Sequence, residues 1–404
     1  MTGTTNAVEC PLCDGDSLGR GLLLRNIPVH TVVLHHSREE ALSQPCADMD
    51  LACCKRCGFV FNAAYDPALH HYSEDYEATQ SFSGTFNAFN QAVAADVAIV
   101  CRDRPGPVVE VGCGQGEFLV LLKQHGIGRL AGFDPAFDPG RSAIVGHPSI
   151  AMHNCRFLPE AVVEPPAGIV CKMTLEHIAK PVAFLSQIAS LARRSKDCPV
   201  FIQVPNARTV FETGSFWDVY YEHCCYFSPA TLTHAMTMTG LSVEDLRNGF
   251  EGQYLIARAR ADSGFGPARG REYPVECELD RFHAFCTAIR QNIAYWRQWA
   301  ACTEHAGRFA LWGGGSKAVA FLSATGIAGH VAAAIDINPR KAGTYLAGSG
   351  VPVVSPDTAT DLKLSDIVLL NPAYKAEVDS MMRARGIAPR LHMLDNARRE
   401  NLSN

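Results

Sequence analysis

The sequence predicts an α/β protein in which two Rossmann-like units follow a small cysteine-stapled module. Three observations carry this: two separate runs of alternating strand-like and helix-like segments, a glycine-rich turn after the first strand of each run, and two Cys-x-x-Cys knuckles ahead of both. The chain has 404 residues, 47% hydrophobic and 19% charged, enough apolar surface for two or three cores and too much for disorder. A formal net charge of -5 offers no basic field to a polyanion, which sets nucleic acid aside and favours a small-molecule partner. No apolar run of about eighteen residues occurs, and Met1 to Glu9 is neither basic nor apolar, so the expectation is a cytoplasmic protein that meets no membrane. Sixteen cysteines spread along such a chain then read as reduced thiols plus a metal site, not as a disulfide framework.

Residues 1–75 form the first expected domain. Their strand-like runs, His30 to His35 and Gly58 to Asn62, are short and lack helical periodicity, so something other than a core must hold them. Cys10-Pro11-Leu12-Cys13 and Cys54-Lys55-Arg56-Cys57 supply it, each knuckle offering two thiolates to one tetrahedral zinc. Four protein ligands, Cys10, Cys13, Cys54 and Cys57, leave no position for water, which makes the expected metal structural. Cys46 and Cys53 stand near the second knuckle and leave the choice of thiols open, as they leave open a metal-free reading.

The second expected domain spans residues 76–260. Its order is helix Phe86 to Cys101, strand Val108 to Gly112, helix, strand Leu130 to Asp134, strand Ile169 to Thr174, helix Pro181 to Arg194 and strand Val200 to Pro205, an alternation that implies a parallel sheet covered on both faces. Between the first strand and its helix, Gly112, Gly114 and Gly116 let backbone approach a ligand, with Glu110 near the strand end and Phe118 opening the helix. A dinucleotide is the obvious rival occupant. The spacing Gly-x-Gly-x-Gly differs from the dinucleotide loop, and an acid ahead of it suits a cationic methionyl amino group. Asp134, before Pro135, stands where it would accept ribose hydroxyls, or alternatively cap the next turn.

A glycine- and arginine-rich stretch from Ala259 to Arg271 reads as a connection into the third expected domain, residues 261–404. A helix from Val275 to about His305 carries Leu279, Phe282, Phe285 and Cys286 on one face. The second alternating block follows: strand Phe309 to Trp312, the loop Gly313-Gly314-Gly315-Ser316, helix Lys317 to Thr325, strand Val331 to Asp336 and strand Asp366 to Asn371. Its glycine loop with Lys317 suits a phosphate at a helix N-terminus, and equally suits a wall of an acceptor site.

The segment Glu110-Val111-Gly112-Cys113-Gly114-Gln115-Gly116 resembles the signature of class I S-adenosylmethionine-dependent methyltransferases. That resemblance implies that Phe157 and Leu158 flank an adenine and that Met173 to His177 border the transferred methyl group. The wider order is two cysteine knuckles, Tyr72-Ser73-Glu74-Asp75-Tyr76, Glu176-His177-Ile178, Tyr220-Tyr221-Glu222-His223-Cys224-Cys225-Tyr226-Phe227 and a second glycine-rich unit. It is similar, over nearly the whole chain, to the three-domain C-methyltransferases that act on nucleotide-linked keto-deoxysugars in natural-product pathways. The resemblance implies that the Tyr220, Glu222 and His223 segment covers the acceptor, that His223 is the base, and that Tyr76 and His177 join the pocket. Tyr72, Asn206, Tyr221, Tyr226 and Lys317 complete the expected acceptor set.

The residue types fit the chemistry. Methyl transfer to carbon needs an electron-rich carbon, and removing a proton beside a ketone makes one. A histidine can take that proton, a carboxylate can orient its ring, and tyrosines can donate to the enolate oxygen. His223 is thus the expected base, Glu222 its orienter if the segment is a loop, and Tyr76 and Tyr220 the donors. O- or N-methylation is the nearest alternative reaction; a nicotinamide-linked oxidoreductase and a non-enzymatic zinc module are the alternatives of other classes.

Overall fold

The computed structural model describes residues 8–69, 75–142, 144, 146–261, 275–302 and 309–394. In chain order the first elements are β1 (Leu18–Pro28), α1 (Arg38–Ser43), β2 (Cys46–Cys54), β3 (Val60–Asn62) and α2 (Gly84–Cys101). Next come β4 (Val108–Val111), α3 (Glu117–Gln124), β5 (Leu130–Phe133), β6 (Ile150–His153), β7 (Gly168–Lys172), α4 (Pro181–Ala192), β8 (Pro199–Pro205) and α5 (Ala207–Thr213). Then follow β9 (Cys225–Tyr226), α6 (Pro229–Met238), β10 (Leu241–Gly249), β11 (Tyr254–Ala261) and α7 (Val275–Ala301). The last are β12 (Phe309–Trp312), α8 (Ser316–Thr325), β13 (Val331–Ile335), β14 (Val353–Val354), β15 (Asp366–Leu369), α9 (Lys375–Ala384) and β16 (Arg390–Met393).

The strands make three sheets. The largest has the order β10-β11-β8-β7-β4-β5-β6. Strands β4, β5 and β7 are short apolar runs with nearly every side chain buried, the pattern of strands covered on both faces. From β4 the chain moves to β5 and β6 on one side and then returns to β7 and β8 on the other. That reversal opens a crevice at the carboxyl ends of β4 and β7, where ligands of open α/β sheets bind.

This sheet is mixed and not wholly parallel: β11 runs antiparallel to both β8 and β10. In β10 most side chains are exposed or half-exposed, as suits an edge strand that contributes little to the core. Residues Ala259 to Ala261 belong to β11 and not to the connection, whose residues 262–274 lie outside the described set.

The second sheet, β14-β13-β12-β15-β16, is parallel throughout and reverses direction about β12 in the same way. The third, β1-β2-β3-β9, is antiparallel. Its edge, β9, is contributed by the residues just after His223, so the N-terminal sheet grips the segment expected to cover the acceptor. The run His30 to His35 is not a strand. It is irregular, with single backbone bridges from Val33 to Tyr76 and from His35 to Tyr345.

Helix α7 joins these parts. Phe282, Phe285, Ile289 and Trp296 are buried in one core with Leu22 and Met49 of the N-terminal sheet, Phe211 and Phe216 beside α5, and Phe309 and Phe321 of the C-terminal unit. A glycine is required where β1 crosses this helix: a Cβ at Gly21 would stand 2.6 Å from Cys286 Sγ and 2.9 Å from Phe282. Among the described residues no helix is long and apolar enough to cross a membrane.

Candidate active site

A cavity of about 410 Å³ lies where the carboxyl ends of the two α/β sheets face each other. Met173, Pro205, Tyr220 and His223 line one side, and Gly313, Ser316, Lys317, Asp336 and Asn371 line the other.

Beside it, the turn after β4 carries positive φ at Gly112 (76°), Gly114 (54°) and Gly116 (87°), backbone that favours glycine. A Cβ at Gly112 would meet Thr174 Oγ1 at 2.0 Å, and one at Gly116 would meet Ile144 Cδ1 at 2.2 Å. Gly114 faces open space, its nearest neighbour being Glu117 Oε2 at 3.9 Å. Asp134 closes the turn, its carboxylate accepting the amides of Gly114 and Ala136 at 2.8 Å each. Both expected roles of Asp134 are therefore compatible, since each oxygen keeps a second lone pair. Pro135 follows it in that turn.

Glu110 is buried, and no group donates to its Oε2. Burial pushes the carboxyl up to about 8, opposed by the Lys172 ammonium, which lies 3.5 Å over the Phe118 ring. A buried carboxylate oxygen without a donor suits a ligand ammonium, so these residues fit the expected cofactor. Phe157 is buried edge-on against Phe133, whereas Leu158 is 53% exposed. Met173 holds a strained φ of 50° at the end of β7 and faces the cavity.

A cation held by Glu110 binds its anion, so binding releases a proton. Affinity for S-adenosylhomocysteine should therefore rise as pH increases toward about 8 and then level. Glu110→Gln cannot ionise; isothermal titration between pH 6 and pH 9 should show the slope flattened and affinity down roughly tenfold.

His223 sits in the loop between α5 and β9, its amide bonded to the Tyr220 carbonyl at 3.1 Å. Its ring is buried between those of Tyr220, 4.1 Å away between centroids, and His177, 4.8 Å away and edge-on. Burial first, then His177 and Lys317, holds the imidazole well below its ordinary range, so the ring is unprotonated at pH 7, a weaker base than an exposed histidine but free to accept a proton.

Glu222 does not orient that ring. Its carboxylate accepts the amide of Thr31 at 3.0 Å and the Thr31 hydroxyl, and faces His30 Nδ1 at 3.6 Å. Adjacent residues in this loop project to opposite sides, so the acid beside His223 in sequence serves the N-terminal segment instead. The carboxyl that does stand beside His223 and His177 is Glu176, whose ligating oxygen lies within 4.8 Å of a nitrogen of each ring.

Glu176 is 1% exposed, and no other residue donates to either of its oxygens. Sequence alone gives Glu176 no role of its own, although the Glu176-His177 pair at a strand end is the signal for one. Gln203, buried on β8 with both amide atoms unpartnered, was equally unforeseen.

Other expected residues have structural work. Asn206 caps α5 and donates to Thr209, Asn248 and Gly252. Tyr221 is buried with its hydroxyl accepting the Asp66 amide at 2.8 Å. Tyr226 packs against Phe211. None of these three lines the cavity, and neither does His177, which stands behind His223, nor Tyr76, half-buried at its bridge to Val33. Tyr72 lies outside the described residues. Lys317 does line the cavity, with its ammonium paired to Asp218.

The four knuckle thiols converge, with Cys10 and Cys57 Sγ 3.7 Å apart and Cys13 and Cys54 Sγ 3.6 Å apart. A tetrahedron with metal–sulfur bonds of about 2.3 Å has edges of about 3.8 Å, so the donor set fits zinc. Cys46 and Cys53 stand outside the cluster, and Cys53 is buried in the core with Cys286 and Phe282.

Residues 86–246 match the family model described as a methyltransferase domain, and residues 275–387 match that described as a C-methyltransferase C-terminal domain. A search of curated proteins gave no match. Similar solved structures include an S-adenosylmethionine-dependent methyltransferase from Mesorhizobium loti, at 13% identity and a TM-score of 0.36 over 44% of this chain and 100% of that one. Another is a putative methyltransferase of this kind from Listeria monocytogenes, at 12% identity and a TM-score of 0.34 over 45% and 100%. A third is 1,6-didemethyltoxoflavin-N1-methyltransferase from Burkholderia thailandensis, at 16% identity and a TM-score of 0.34 over 50% and 96%. The protein is thus a methyltransferase, its methyltransferase domain spanning residues 86–246. More particularly, it is one that carries a C-methyltransferase C-terminal domain.

Proposed function

We propose that the protein methylates a carbon atom of a small keto acceptor, a nucleotide-linked deoxysugar of a natural-product pathway. The observation that carries this reading is the shared cavity: a buried neutral histidine and a tyrosine on one wall, and the glycine loop, Lys317 and Asp336 of the second unit on the other. An acceptor with a reactive ring and a charged nucleotide end has a place for each.

Glu110, the glycine turn and Asp134 would hold S-adenosylmethionine, with Phe157 beside its adenine. When bound, it supplies an electrophilic methyl group. His223, neutral in its buried setting, takes the proton from the carbon beside the acceptor ketone, and Tyr220 donates to the oxygen on which charge develops. Glu176 stands beside the ring, its carboxyl pushed up to about 8 by burial, so it favours the imidazolium only when ionised. Lys317 and the amides of Gly313 to Ser316 offer positive potential to a diphosphate.

The cysteine cluster, in this reading, holds a structural zinc and takes no part in the chemistry. The chain divides into a zinc module over 1–75, a catalytic domain over 76–260 and an acceptor-binding domain over 261–404. Incubation with a dTDP-4-keto-deoxysugar and donor carrying a 13C methyl group is expected to yield a methyl resonance in the carbon-bound range. An oxygen- or nitrogen-bound methyl signal would overturn the assignment.

A further inference from the structure

We infer that Glu176, His177 and His223 form a second cation site, built for a divalent first-row transition metal, reached from the cavity through His223, the one of the three that lines it. The three side chains come from the turn after β7 and the loop before β9, and one donor atom of each lies within 4.8 Å of the others. Donors around one such ion stand about 3.3 Å apart for metal–nitrogen bonds of about 2.0 Å, so side-chain adjustments of roughly 1 Å close the triad.

Two further observations favour an ion. Glu176 is 1% exposed and receives no hydrogen bond from any other residue, so a buried acceptor points into the cluster unmatched. The His177 ring is bonded to the Glu222 backbone carbonyl, the kind of contact that fixes a metal-binding imidazole in one tautomer and orientation. Two imidazoles and one carboxylate select borderline divalent ions such as zinc, cobalt or iron(II) over calcium and magnesium. The neighbouring Lys317 ammonium, already paired with Asp218, is the positive charge such an ion would face. Three protein donors leave coordination positions open, and His223 and Tyr220 open onto the cavity.

Taking His223 as the base, as proposed above, the ion and the proton compete for the same ring nitrogen, and occupancy inhibits methyl transfer. Cobalt(II) titration of the full chain tests this, with metal counted by elemental analysis. Two ions per chain are expected: one giving strong thiolate-to-metal absorption at the cysteine cluster, the other giving only weak visible bands. Glu176→Gln and His177→Ala should each lose the second ion and keep the first, whose absorption certifies the fold.

Wild-type turnover should fall as the second site fills. A single ion in the wild-type chain, or a second ion retained by both variants, overturns the site. A second ion that binds and raises turnover keeps the site and overturns the base role of His223, so the two failures are distinct.

Discussion

Gly114→Arg should abolish S-adenosylhomocysteine binding, a loss of more than about 100-fold or roughly 2.7 kcal/mol, while the melting temperature changes little. The position separates binding from folding in a way its neighbours do not. A side chain at Gly112 or Gly116 drives a Cβ into Thr174 or Ile144, so such variants fail by clash. At Gly114 a Cβ meets nothing closer than 3.9 Å, and its left-handed backbone costs a non-glycine residue only about 1 to 2 kcal/mol. Arginine there extends a long charged side chain from the turn whose amide Asp134 accepts. Calorimetric binding alongside a thermal melt checks this; full affinity in the variant would remove the cofactor from this turn.

His223→Ala should lower kcat by about 10² to 10⁴ and leave S-adenosylhomocysteine affinity unaltered. The ring lies between those of Tyr220 and His177, so the expected loss is in proton transfer and not in cofactor contacts. The pH profile gives an independent check. Burial lowers the affinity of the ring for protons, so the free base persists to lower pH than for an exposed histidine. The acid limb of kcat/KM should fall below the usual histidine range and vanish in the variant. A packing role predicts the contrary pattern, a lower melting temperature with kcat within about tenfold of wild type.

The glycine turn, its two acids and the four thiols were legible in the sequence because local spacing dictates them. Gly112, Gly114, Gly116 and Asp134 need only a strand, a turn and the next strand, and each knuckle is set by two residues between cysteines. The strand Phe309 to Trp312 was legible for the same reason, a short apolar run closed by glycines. The surroundings of His223 were not, because their pairings are remote. Glu222 looked like the partner of His223 until Thr31, 191 positions away, claimed it. Glu176 could be recognised only once β7 and the loop before β9 were brought together. Strands β10 and β11 escaped because one is an exposed edge and the other alternates arginine with alanine, so neither shows the apolar run of a central strand.

The N-terminal sheet ends in β9, two residues beyond His223, and Thr31 of the same N-terminal region bonds Glu222 and lies 2.9 Å from Ser316 Oγ at the second glycine loop. The cysteine cluster and the cavity between the two α/β units thus share a mechanical frame, and thermodynamic reciprocity applies to a metal in the one and the proposed acceptor in the other. Whatever factor an occupied cluster adds to acceptor affinity, a bound acceptor must return to the affinity of the cluster for its metal.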